Sequence, residues 1–168
     1  MSKIRGPKSN ANRRNRATRR TDRLAHPADL TIYLEFCNSR SVEGEKKLFD
    51  ALVETIPMYG DETNIIHLRM ILSVLPNDNE RVNRRDVLAR VVEIINDFPH
   101  IKEMNFCLDI HHYDLEQVRC ASAIYGLKFP DWTFDMKVED RDAQRILYNS
   151  RIDRQLRAAE AKALQRDS

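Results

Sequence analysis

Apolar and polar residues alternate along four stretches of this chain, and a helical period follows each one. In the first, Leu30, Ile32, Leu34 and Phe36 alternate with Thr31, Tyr33 and Glu35, the signature of a strand with one buried face. Glu45, Phe49, Leu52, Val53 and Ile56 then recur at helical spacing, with Ser41 placed to cap the helix and Pro57 to stop it. A second strand starts near Ile65. Ile66, Leu68, Met70, Leu72 and Val74 point one way, His67, Arg69 and Ser73 the other, and Ile71 interrupts the polar side. Val87, Leu88, Val91, Ile95 and Phe98 form the next helical stripe between a cap at Asn83 and Pro99. The third strand sets Met104, Phe106, Leu108 and Ile110 against Asn105, Cys107, Asp109 and His111. Its helix carries Leu115, Val118, Ala121 and Tyr125 between Asp114 and Gly126. The fourth strand sets Trp132, Phe134, Met136 and Val138 against Thr133, Asp135 and Lys137. With no Gly or Pro after Asp140, a last helix is expected from about Asp140 to near Arg166, with Ala143, Ile146 and Leu147 packed on the body.

Strand–helix units in succession predict the α/β class. A doubly wound parallel sheet is buried on both faces and reads as continuous apolar runs, whereas these strands keep a polar face. The expectation is therefore a two-layer fold of four strand–helix units, with helices mainly on one face of a mostly parallel sheet. Right-handed crossovers, the rule for such units, would lay the strands in the order 1-2-3-4. Leucine-rich-repeat horseshoes share that arrangement, but their L-x-x-L-x-L-x-x-N consensus is absent.

Charge divides the chain differently. Residues 1–26 carry nine Lys or Arg against one Asp, whereas residues 27–139 carry 12 basic and 20 acidic residues, so the net charge of +2 hides a basic arm on an acidic body. The arm has no hydrophobic period and too little apolar surface to offset the entropy of ordering. The domain reading is a disordered Arg-rich arm over 1–26, an α/β domain over 27–139 and a C-terminal helix over 140–168.

Arg13, Arg14, Arg16, Arg19, Arg20 and Arg23 concentrate the positive charge. Guanidinium forks pair bidentately with phosphate, so these six residues are the candidate polyanion site. The same run would serve as a nuclear localisation patch, which makes the expected location nuclear or cytoplasmic. No apolar run approaches the ~20 residues that span a bilayer. The sequence carries neither a secretory h-region nor a CxxC pair among Cys37, Cys107 and Cys120.

Catalytic chemistry has weak support. Neither GxxxxGK[ST] nor GxGxxG occurs, Ser39 has no GxSxG setting, and Cys37 and Arg40 lack phosphatase-loop spacing. Pro76–Glu80 starts like a calcium loop without its glycine or closing glutamate. The densest polar cluster is Asp109-Ile110-His111-His112-Tyr113-Asp114, where a strand gives way to a helix. Asp109, His111 and His112 are the candidate ligands for zinc or non-haem iron; set against them is a plain helix cap and turn. No resident cofactor is expected.

Interaction has more support than catalysis. The polar sheet face would present Tyr33, Arg69 and Asp109 to a protein partner. The stripe Ile152, Leu156, Ala159 and Ala163 would give the last helix a second docking seam. The sequence is thus read as a non-enzymatic interaction module whose acidic body binds protein and whose arm meets a polyanion or an import receptor. Two alternatives stand beside it. One is RNA or DNA binding led by the arm. The other is a small metal-dependent hydrolase built on Asp109, His111 and His112.

Overall fold

Period-two alternation becomes sheet and helical stripes become helices, in the computed structural model, which describes residues 29–36, 41–73 and 83–166. Strand β1 spans Asp29–Phe36 and is followed by helix α1, Val42–Thr55. The Ser41 hydroxyl accepts from the Gly44 amide and starts this helix. A 3-10 turn, Ile56–Tyr59, carries it one step past Pro57. Strand β2 is Ile65–Leu72 and helix α2 is Arg84–Asn96, capped by the Asn83 side chain on the amides of Arg85 and Asp86. Strand β3 is Glu103–Ile110 and helix α3 is Leu115–Arg119, capped by Asp114. Helix α3 tightens into a 3-10 helix over Cys120–Gly126. Strand β4 is Trp132–Val138, β5 is the pair Gln144–Arg145, and helix α4 is Arg151–Arg166.

The fold is α/β, with a five-stranded sheet ordered β1-β2-β3-β4-β5. The first four strands are parallel and β5 is antiparallel. One hydrophobic cluster joins alternate strand residues, such as Leu34, Met70, Leu108 and Met136, to Phe49, Leu88, Ile95, Val118 and Ile124 of the intervening helices. Ring pairs reinforce it, Phe36 on Phe49 at 4.7 Å and Phe106 on Phe134 at 5.0 Å between centroids. The other set of strand residues is exposed or half-buried.

Residues 140–150 correct the expected terminal helix. Gln144 and Arg145 pair with Met136 and Asp135, and the Ile146 amide donates to the Phe134 carbonyl at 2.8 Å. Ile146 packs on the core, but Ala143 and Leu147 do not. The helix starts eleven residues later than expected, at Arg151. The Ser150 hydroxyl accepts from the Asp153 amide, and the Asp153 carboxylate accepts from the Asn149 amide. Asn149 sits at φ 61°, a left-handed conformation that Asn tolerates better than most residues. Helix propensity over 140–150 loses to this cap and to the open edge of β4.

Candidate functional site

Parallel register arranges the exposed and half-buried strand side chains in rows. Tyr33, Arg69, Cys107, Asp135 and Arg145 are successive Cα partners across all five strands. Glu35, Ile71, Asp109 and Lys137 form the next row, and Thr31, His67, Asn105 and Thr133 the row before. Tyr33 stands at one end with 58% of its surface exposed.

Diagonal and direct pairs lace these rows together. Arg69 donates to the Asp109 carboxylate from β2 to β3. That hydrogen bond, against a smaller cost of burial, holds the Arg69 guanidinium protonated more firmly than usual. The Arg69 Nε is buried with no hydrogen-bond partner. Arg145 grips Asp135 with two nitrogens at 2.6 and 3.1 Å. Asn105 accepts from the Thr133 hydroxyl at 2.7 Å and donates to Glu103 at 3.0 Å. Cys107 lies between the two Arg–Asp pairs. Burial pushes its thiol up, and the carboxylates of Asp109 and Asp135 add to this against the opposing pull of Arg69. A thiol so placed stays protonated and is a poor nucleophile at neutral pH.

A second group sits where β3 and β4 end. His111, His112 and Glu139 are all exposed, and one ligand atom from each lies within 4.8 Å of the others. Asp109 is absent from this group, because it points to Arg69 on the sheet face. Glu139 takes its place and is a residue the sequence reading missed. Its signal is the β3–β4 register: Ile110 pairs with Val138, so the residues just beyond them leave the sheet together.

The docking seam expected on the terminal helix is used inside the chain. Leu156 is fully buried, and Ile152 is half-buried against the core. The polar residues of α4 explain why. Asp153 is buried and accepts from the Tyr125 hydroxyl at 2.8 Å, the Asn149 amide at 3.0 Å and the Arg157 guanidinium at 3.1 Å. Burial alone would raise its carboxyl, but these donors outweigh it and hold the group below its ordinary value. The same contact, after burial, drives the Tyr125 phenol far up. Glu160 is buried too, accepting from Arg85 at 2.9 and 3.2 Å and from the Ser122 hydroxyl at 2.9 Å. Arg157 lies over the rings of Tyr125 and Tyr148, at 4.7 and 5.2 Å. The stripe therefore faces the 3-10 helix and α3.

The six arginines of the polyanion candidate, Arg13 to Arg23, lie outside the described residues, as do Cys37–Arg40 and Pro76–Glu80. No protein-family model, curated protein or solved structure matches this chain. Among the described residues, no helix is long and apolar enough to cross a membrane.

Proposed function

We propose that this chain is a non-enzymatic interaction module that binds a protein partner through the uncovered face of its sheet. The observation that carries this reading is the burial alternation. In β1, Ile32, Leu34 and Phe36 are buried while Thr31, Tyr33 and Glu35 are exposed, and the polar positions of β2 to β4 are exposed or half-buried. On this reading the helices form one layer and the sheet's other face is open. Parallel sheets are ordinarily covered on both faces; solenoids that leave one uncovered use it to bind.

The side chains on that face fit a protein better than a nucleic acid. Tyr and Arg are the residue types that dominate interface hot spots. Tyr33 and Arg69 are adjacent in one row. Among the described residues of that face Tyr33 is the one exposed aromatic, and Glu35, Asp109 and Asp135 share the surface, which opposes phosphate. The Arg-rich arm belongs to the same proposal as a polyanion contact or nuclear targeting signal. Its nine basic residues against one acid are the support.

A photo-crosslinking amino acid at Tyr33 tests the face, with the same probe at Met58, 81% exposed and outside the sheet, as the control. A discrete adduct in cell extract from the Tyr33 probe alone, lost when Arg69→Glu is added, supports the reading. Identical labelling from both probes overturns it. RNA and DNA binding by the full chain and by residues 27–168, at two salt concentrations, tests the arm. Binding that falls steeply with salt and vanishes on truncation places polyanion recognition there.

A further inference from the structure

The cluster at the ends of β3 and β4 plays no part in the open face. His111 and His112 follow β3 directly. Glu139 follows β4, and its amide donates to the Ile110 carbonyl at 2.9 Å, extending the ladder by one bond. The Glu139 backbone sits at φ 53°. For a residue other than glycine this conformation is unfavourable. The Glu139 carboxylate lies against the histidines, Oε1 being 2.9 Å from the His112 Nδ1. The two imidazoles lie 4.4 Å apart between centroids and are tilted by 49°.

Two imidazoles and a carboxylate are a donor set for zinc and similar borderline cations, and harder ions such as magnesium prefer oxygen alone. The carboxyl ends of parallel strands are also where open α/β sheets gather their ligands. An ion pair between His112 and Glu139 accounts for two of the three residues but gives no role to the convergence of His111. We propose that His111, His112 and Glu139 form a three-ligand site for a borderline divalent cation, Zn²⁺ above all, with the fourth position open to solvent.

The geometry asks for little movement. Ligands held ~2.0–2.1 Å from a tetrahedral zinc stand roughly 3.3 Å from one another. The His112 and Glu139 atoms, now at 2.9 Å, must part by a few tenths of an ångström. The His111 ring must swing inward from within the 4.8 Å that bounds the group. All three side chains are exposed, so no core packing resists these adjustments.

The test is calorimetric titration of the full chain with zinc sulfate in a non-chelating buffer, repeated with Co²⁺ to read coordination from its visible absorption. One ion per chain is expected, with a four-coordinate Co²⁺ spectrum. His111→Ala and Glu139→Gln should each weaken binding by at least ~10-fold, the scale on which zinc sites respond to lost partners. His67→Ala and His100→Ala, changing exposed histidines elsewhere, should leave it unchanged. Circular dichroism checks that each variant is folded. Absence of saturable binding overturns the site. So does binding that survives both His111→Ala and Glu139→Gln, or that is lost with His67 or His100, because the ion would then be held elsewhere.

Discussion

The two faces of the sheet are made of the same strands and obey different rules. On the inner face Phe106 and Leu108 are fully buried members of the hydrophobic core. One residue away in sequence, Cys107 and Asp109 sit among crossed ion pairs at the edge of solvent. The inner face is held by apolar area removed from water, at roughly 25 cal/mol per Å². The outer face is held by exposed or partly exposed charge pairs, which contribute ~0–1 kcal/mol each. The difference teaches that apolar packing and solvent-facing charge are separated by a single step along each strand, so the outer face can vary without endangering the fold.

Substitutions ranked by expected effect sharpen or break that separation. Phe106→Ala removes a buried ring packed at a tilt against Phe134 and should cost about 3–5 kcal/mol in urea unfolding. Glu160→Ala leaves the Arg85 guanidinium with a 3.5 Å contact to Asp86 and takes the acceptor from the buried Ser122 hydroxyl, and a loss of about 3 kcal/mol is expected by the same measurement. Asp153→Asn probes the anchor of α4 through pH. The native Asp153 carboxyl is held below its ordinary value, so its contribution is complete above the unfolded value of ~4 and fades as pH falls through the lower folded value. The stability gap between Asp153→Asn and the parent chain should thus be constant above about pH 5 and shrink in acid. Arg69→Ala should cost at most ~1 kcal/mol, and Tyr33→Ala within ~0.5 kcal/mol. Losses of several kcal/mol from either outer-face change would show that the face carries the fold, and the comparison would fail.

Much of this architecture was legible in the residues, for reasons that differ from element to element. Strands β1 to β4 announced themselves because buried apolar positions alternate with exposed or half-buried ones, as Thr31, Tyr33 and Glu35 show between Leu30 and Phe36, with Ile71 the exception. Ser41, Asn83 and Asp114 marked helix starts because their short side chains satisfy free amides. Residues 140–150 misled because they contain no helix breaker, although Ser150-Arg151-Ile152-Asp153 carries the spacing of a capping box. The helix after β3 was legible between Asp114 and Gly126, but its tightening into a 3-10 helix over Cys120–Gly126 was not, since the buried Ser122–Glu160 contact there joins residues 38 apart. The same holds for the site at the strand ends. His111 and His112 stood out as a pair, but Glu139 joins them only through register, which no local motif encodes. The stripe of Ile152 and Leu156 was seen correctly as apolar, yet an amphipathic helix does not state which surface it covers, and here it covers its own domain.

Strand β5 has a consequence out of proportion to its two residues. Parallel strands that each dock beside the last form a series with no inherent end, since the newest strand always offers unpaired amides and carbonyls to the next. The turn at Glu139 reverses the chain, and Gln144 and Arg145 take up part of the vacant side of β4 in the opposite direction. The Arg145 guanidinium is clamped on Asp135 at that border. A short, charged, backward strand is a poor template for further addition. The sheet is thereby protected from lengthening by another molecule on its β4 side. Without this latch more of the β4 edge would stand open to pairing with another strand.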